Sequence, residues 1–208
     1  MNTPNVQEAS LRCPYCNTEH QHNLYAIVDL VENPSLKLGL LTDSLFSVHC
    51  SECDNQFVVM HEMLVVDKGA SFAILLAPDS TLTEVIKPSE IGHYETLRLV
   101  HSSDELKEKI LLSDAGLDDK TIELCKMYLL MKMERKAHTL LYADHQGFAS
   151  QMLFTLFNEK DEIQETIQCS DGLYTQLLKT AEEFSLKKGY FLHIGQAWAF
   201  NEIKNSVG

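Results

Sequence analysis

The sequence predicts an α+β fold in which a β-rich N-terminal domain with short helices precedes helices and a C-terminal α+β region. Three observations lead to this prediction. Two Cys-x-x-Cys pairs lie in the first 53 residues of the chain, strand-like apolar runs surround them, and long helical periodicity begins only after residue 101. With 208 residues, 45% of them hydrophobic, the chain can bury a substantial core.

The first half of the chain predicts mainly strands. Runs rich in Val, Ile, Leu and Phe predict strands at residues 24–30, 45–49, 56–66, 71–76 and 97–101. Between the first two runs, Asn33-Pro34 interrupts the pattern, and Leu36, Leu40 and Leu41 suit a short helix. The polar residues 1–10 are expected to fray.

The second half predicts helices around a β-hairpin. Ser103 is a candidate N-cap for one helix, and a second helix over 118–133 places Ile122, Cys125, Leu129 and Met133 on one face. A turn at residues 145–147 between two apolar runs predicts the hairpin. Two further helices are predicted after the hairpin. One begins near Asp171, and the last one carries Trp198. The acidic runs at 118–119 and 159–165 are interpreted as solvated helix starts and loops.

Composition and charge exclude several classes of function. The net charge of −13 and the pI near 5.0 disfavour direct nucleic-acid binding, which needs clustered Lys and Arg. No apolar run reaches eighteen residues, so no membrane span is expected. The N-terminus lacks the pattern of a secretory signal, which predicts a cytoplasmic protein. Thiols are kept reduced there, so the six cysteines are interpreted as metal ligands or core thiols.

Cysteine spacing is the most specific signal in the chain. Cys13 and Cys16 flank Pro14-Tyr15, and after 33 intervening residues Cys50 and Cys53 repeat the pattern. Thiolates at positions i and i+3 of a tight turn present two sulfurs to one ion, and Zn²⁺ prefers four tetrahedral ligands. The sequence therefore predicts a structural Zn²⁺ held by these four cysteines in a zinc ribbon.

The residues around each pair suit such turns. Pro14 presets the backbone of the first turn. The residue after the second cysteine often needs a left-handed conformation, and Asn17 and Asp54 are the types that tolerate it best after glycine.

Alternatives to a zinc site remain open at this point. Iron in the same four-thiolate geometry would make a rubredoxin-like electron carrier, although the glycines usual in those turns are missing. Two unrelated pairs of buried thiols are a weaker alternative. A thioredoxin-like redox pair would need a single Cys-x-x-Cys that opens a helix, and the second pair argues against it.

Other residues with chemical potential have simpler explanations. His20, His22 and His49 lie near the cysteines and are candidate substitute ligands, but four thiolates suffice, so exposed or supporting roles are favoured. Cys125 and Cys169 are interpreted as core residues. The pair Asp144-His145 is a candidate catalytic pair, although turn formation explains both residues.

Several segments together resemble the bacterial CpXC domain family. They are CPYC, NPSLKLGLLTDSLFSVHC, CSEC, QFVVMHEMLVVD and SDELKEKILLSDAGLDDKTIELCK, within residues 11–135. Ser51 stands where the family has the second proline, but proline contributes no ligand atom. The resemblance implies zinc binding by the four cysteines of the two pairs. It predicts a domain at 11–135 after a frayed segment at 1–10, and a C-terminal α+β region at 138–208.

The sequence thus favours a cytoplasmic module for protein interaction or regulation, folded around one structural Zn²⁺, rather than an enzyme. A closed four-thiolate site leaves no coordination position for a reactive water. The alternatives are an enzyme with its site between the two domains, with Asp144 and His145 as candidates, a nucleic-acid-associated zinc ribbon, and the iron carrier. A protein is the expected partner, and the sequence predicts neither an oligomeric state nor a substrate.

Overall fold

The computed structural model describes residues 5–92, 94–135 and 138–206 and confirms the α+β prediction. By internal contacts the chain divides into two units, residues 1–107 and 108–208, with the boundary inside a helix. Each unit has strands and helices of its own. The boundaries proposed from the sequence at 10/11 and at 135–138 are a different division, based on family resemblance rather than on contacts.

Among its described residues, the first unit contains eight strands, one complete α-helix, α1 (Pro34–Leu41), and a short 3-10 helix (Ser89–Ile91). The strands are β1 (Asn5–Arg12), β2 (Glu19–Asp29), β3 (Ser47–His49), β4 (Gln56–Val58), β5 (Met63–Asp67), β6 (Phe72–Leu76), β7 (Glu84–Ile86) and β8 (Thr96–Val100). Helix α2 (Ser103–Asp114) follows and crosses the boundary between the units.

Five of these strands are neighbours in one sheet, in the order β1-β2-β5-β6-β8. The β2–β5 and β6–β8 pairs are parallel, whereas β1–β2 and β5–β6 are antiparallel. The central strands are buried because their sequences are almost continuously apolar, as in FAILL of β6. Val28, Val65, Ile74 and Leu99 are buried there, so the predicted runs at 24–30, 71–76 and 97–101 contribute to the core of the first unit. The run at 56–66 is not one strand but divides into β4 and β5, and β4 pairs with β3 in a separate sheet.

Two hairpins extend from this part of the chain. In the first, β1 and β2 pair in register up to Arg12 opposite Glu19. In the second, the short strands β3 and β4 pair up to His49 opposite Gln56. One cysteine pair lies in the turn of each hairpin, so the hairpins determine how the sulfurs are presented.

The second unit is built around α3 (Asp119–Lys132). The other elements are β9 (Thr139–Gln146), β10 (Gln151–Phe157), β11 (Ile163–Ser170), α4 (Asp171–Glu183), β12 (Tyr190–Leu192) and α5 (Gln196–Ser206). The strands β11, β10 and β9 form a three-stranded antiparallel sheet in that order. One face of α3, with Ile122, packs on this sheet, and Leu124 and Met127 pack against residues of α4 and α5.

Charged side chains are buried where α2 meets α3. Lys126 Nζ lies 2.8 Å from a carboxylate oxygen of Glu108 and 2.7 Å from one of Glu123, and Lys109 Nζ lies 3.0 Å from Asp119. The interpretation of residues 118–119 as solvated is therefore wrong for Asp119, which is buried. Its carboxylate leaves water because a buried lysine pairs with it.

Three other sequence predictions need correction. Residues 5–10 do not fray but belong to β1, because their backbone pairs with β2 although their side chains are largely exposed. Residues 1–4 lie outside the described residues. The cap of α2 is Ser102 rather than Ser103, since the Ser102 hydroxyl accepts a hydrogen bond from the Glu105 N–H. Residues 163–165 begin β11 instead of lying in a loop.

Candidate metal centre

The turns of the two hairpins bring the sulfurs of Cys13, Cys16, Cys50 and Cys53 together, all within 4.8 Å of one another. Cys13 Sγ lies 3.7 Å from Cys53 Sγ, and Cys16 Sγ lies 3.5 Å from Cys50 Sγ. Each close pair joins one hairpin to the other. The cluster is therefore a link between hairpins that lie more than thirty residues apart in the sequence.

Both turns have the same backbone geometry. Cys13 N–H donates to Thr18 O and Asn17 N–H donates to Cys13 O, each at 2.9 Å. In the second turn, Cys50 N–H donates to Asn55 O and Asp54 N–H donates to Cys50 O, again each at 2.9 Å.

The left-handed residues that the sequence predicted are present in both turns. Asn17 has φ 62° and Asp54 has φ 60°. This conformation turns the chain back toward the second strand of each hairpin and leaves the two sulfurs on the same side of the turn.

The sulfur distances fit a tetrahedral metal ion. Four sulfurs placed at a metal–sulfur distance of about 2.3 Å lie about 3.8 Å apart, close to the observed 3.5 and 3.7 Å. A disulfide would need about 2.05 Å between the sulfurs. The four cysteines can therefore hold a metal ion, and both Zn²⁺ and iron favour such a set of thiolates.

Hydrogen bonds favour the thiolate at the second cysteine of each pair. A hydrogen bond from the Thr18 side chain, followed by one from its backbone N–H, lowers the pKa of Cys16 to about 6. The Asn55 side chain and then its backbone N–H lower the pKa of Cys53 in the same way. Thiolates are the metal-binding form of cysteine, so these contacts prepare the site for a cation.

Cys50 differs from Cys16 and Cys53 because, like Cys13, it is fully buried. Burial raises the pKa of its thiol to about 11, although the backbone N–H groups of Cys53 and Glu52 oppose this effect. A thiolate at this position therefore depends on a cation and on nearby hydrogen-bond donors.

Sequence reasoning missed Thr18 and Asn55, which contact the sulfurs directly. Thr18 Oγ1 lies 3.3 Å from Cys16 Sγ, and Asn55 Nδ2 lies 3.3 Å from Cys53 Sγ. A signal was available, because aligning CPYCNT with CSECDN places a polar residue two positions after the second cysteine in both turns.

The three histidines near the cysteines have different surroundings. His20 Nε2 lies 3.2 Å from Cys50 Sγ. His49 points instead to Asp54, with 2.8 Å between Nε2 and Oδ1. His22 lines a polar cavity of about 450 Å³ with Glu8 and Tyr25.

The remaining candidate residues lie in the second unit. Cys125 and Cys169 are buried there, as expected of core residues. Asp144 and His145 lie in β9 and not in the turn predicted at residues 145–147, because the strand continues to Gln146 and the turn begins at Gly147. Asp144 Oδ1 accepts a hydrogen bond from the His145 backbone N–H. The His145 imidazole contacts Asp171, with 3.1 Å between Nε2 and Oδ1, so Asp144 does not pair with that ring.

The structure thus defines a metal-binding module in which two cysteine-bearing hairpins meet. The family description "CpXC protein" matches residues 11–126, more than half of the chain, and this protein belongs to that family. No curated protein and no solved structure matches the chain.

No helix within residues 5–92, 94–135 and 138–206 is long and apolar enough to cross a bilayer.

Proposed function

We propose that Cys13, Cys16, Cys50 and Cys53 bind one structural Zn²⁺, and that the site supports a cytoplasmic protein-interaction or regulatory module. The approach of all four sulfurs to within 4.8 Å carries this proposal. Four protein thiolates complete a tetrahedral Zn²⁺ shell and leave no position for a substrate or a reactive water. Zinc has no redox chemistry, so it supplies folding free energy at this site.

The surface near the turns supports a protein partner rather than a nucleic acid. Near the first turn, the positive charge of Arg12 is paired, with 3.0 Å between its Nη2 and Glu19 Oε1. Glu52 and Asp54 add negative charge in the second turn. Such a surface repels phosphates. Tyr15 and Val58 expose 63% and 67% of their surface, which is the kind of aromatic and aliphatic area that protein interfaces bury.

Metal analysis tests the zinc assignment. Protein purified without added metal is expected to contain one zinc per chain by elemental analysis. Cys13→Ser and Cys53→Ser should lose the metal, whereas the control Cys125→Ala, outside the cluster, should keep it. One equivalent of iron in the wild-type protein would overturn the choice of zinc, and metal-free wild-type protein would overturn the site itself.

The interaction role needs a separate experiment. A protein partner recovered with the wild-type chain from extracts of its native cell should be lost with the double variant Tyr15→Ser/Val58→Ser at unchanged zinc content. Equal recovery by the two chains would contradict a role for this surface in binding.

A further inference from the structure

We infer that His20 is a positioning residue of the metal centre, and that its Nε2–H donates a hydrogen bond to the Cys50 thiolate and thereby joins the two hairpins. This inference rests on the proposed metal site. The contact that carries it is the 3.2 Å distance between His20 Nε2 and Cys50 Sγ. His20 acts through the sulfur and is not itself a metal ligand, because four sulfurs already complete the cluster.

The position of His20 in the fold makes the contact a bridge. His20 is the second residue of β2 and lies opposite Leu11 in the first hairpin. Cys50 belongs to the turn of the second hairpin. The imidazole also lies against Phe57 of β4, with 6.5 Å between the ring centroids. One side chain of the first hairpin therefore contacts both the turn and a strand of the second.

Cys50 is one of the two fully buried cysteines of the cluster, together with Cys13, and its sulfur needs hydrogen-bond donors. Its side chain is fully buried, so bulk water does not solvate a negative charge on its sulfur. A charge-assisted hydrogen bond from an N–H group stabilises the thiolate and withdraws electron density from the sulfur. Donors of this kind around metal ligands typically change metal affinity by about 10- to 100-fold.

The tautomer follows from the same contact. A neutral imidazole carries one N–H, and a metal-bound thiolate is a hydrogen-bond acceptor. With Nε2 facing the sulfur, the proton lies on Nε2, and this form of His20 orients the Cys50 thiolate toward the other three sulfurs.

His49 provides a matched control. It directly precedes Cys50 in sequence, yet its Nε2 lies 2.8 Å from Asp54 Oδ1 and its side chain is mostly exposed. Loss of a histidine at position 49 removes a ring from the same neighbourhood without removing the contact between Nε2 and the Cys50 sulfur.

The experiment uses full-length protein loaded with Zn²⁺. In His20→Phe an aromatic ring remains against Phe57 but the donor is lost, and in His20→Gln an amide N–H replaces the imidazole donor. Zinc affinity is measured by competition with a chromophoric chelator, and thiolate reactivity by the rate of N-ethylmaleimide alkylation. Substitution with Co²⁺ reports the sulfur-to-metal charge-transfer band, and circular dichroism verifies folding.

We expect His20→Phe to bind zinc about 10- to 100-fold more weakly and to be alkylated faster, with a shifted Co²⁺ band. His20→Gln should recover much of the affinity, and His49→Gln should match the wild type. If His20→Phe equals the wild type, if His20→Gln is no better than His20→Phe, or if His49→Gln loses as much affinity, the inference is wrong. Failure of the wild-type chain to bind zinc would instead refute the proposed function.

Discussion

At the scale of single residues, the metal centre depends on two backbone positions that few side chains tolerate. Asn17 and Asp54 have positive φ, a conformation that costs most L-residues roughly 1–2 kcal/mol. The next residues, Thr18 and Asn55, contact the sulfurs of Cys16 and Cys53 through a hydroxyl and an amide group, respectively. Each turn therefore combines a tolerated backbone strain with hydrogen bonds that stabilise a thiolate.

The backbone requirement at Asn17 predicts opposite effects for two substitutions. Asn17→Gly should keep or slightly raise stability, because glycine reaches positive φ without steric cost. Asn17→Val should destabilise the zinc-loaded protein by about 1–2 kcal/mol, because a β-branched residue clashes in this conformation. Chemical denaturation at fixed zinc concentration measures both effects. Equal stability of the glycine and valine variants would contradict the assigned turn.

In the second unit, the cost of burying a carboxyl group opposes its attraction to buried lysines. Glu123 is fully buried, which raises the pKa of its carboxyl against the attraction of Lys126 and Lys109. Its Oε2 atom has no hydrogen-bond partner among the described residues. The helix pair thus buries charged groups that are compensated by ion pairs, and removal of either lysine would remove part of the positive charge that compensates the buried carboxylates.

At the scale of elements, a carboxylate orders the connection from β2 to α1. Asp29 ends β2, and its Oδ1 accepts hydrogen bonds from the backbone N–H groups of Val31 and Glu32. Lys68 Nζ lies 2.9 Å from its other oxygen. Burial opposes ionisation, but Lys68 and the two N–H groups outweigh it and lower the pKa of Asp29.

This lowered pKa predicts a pH-dependent effect of Asp29→Asn. A carboxyl group with a depressed folded-state pKa stabilises the protein above its unfolded-state pKa of 3.8 and loses this contribution as pH falls through the folded-state value. The wild type should be more stable than Asp29→Asn by about 1–2 kcal/mol at pH 7, since Lys68 is half exposed.

The stability difference should remain constant down to about pH 5 and shrink below the unfolded-state pKa. Urea denaturation followed by circular dichroism, performed on both proteins at each pH, measures it. A stability difference that grew toward acidic pH would contradict the assigned ionisation of Asp29. Ser35→Ala, on the neighbouring helix, serves as a control that should show no comparable pH dependence.

At the scale of the whole molecule, the cysteine cluster and the buried apolar core join different parts of the first unit. The cysteines link two hairpins, and the second hairpin has strands of only three residues. So short a two-stranded unit is not stable alone. The central strands β5, β6 and β8 are instead held by a buried apolar core.

Metal removal should therefore loosen the first unit unevenly. After zinc chelation, amide hydrogen exchange should accelerate at residues 12–20 and 47–58 by at least about 10-fold, because the free energy of metal binding no longer holds the hairpins. Protection of β5 and β6, and of α3 in the second unit, should persist. Added Zn²⁺ should reverse the change. Uniform loss of protection throughout residues 5–92 would show that the metal supports the entire first unit.

The sequence alone determined the cysteine pairs, the two left-handed turn residues and most of the apolar strands and helices. These features are local: spacing within a turn, tolerance of positive φ and hydrophobic periodicity act over a few residues. Family membership followed from the same motifs and is confirmed for residues 11–126.

Tertiary structure alone decided the features that depend on distant partners. The polar strand β1 forms because its backbone pairs with β2. Backbone pairing cannot be predicted from the amino-acid composition of the segment. Asp119 is buried because Lys109 neutralises it. Among the nearby histidines, only the packing of one hairpin on the other distinguishes His20, at the Cys50 sulfur, from His49, at Asp54. Such contacts form only when segments far apart in sequence meet, so a local pattern cannot encode them.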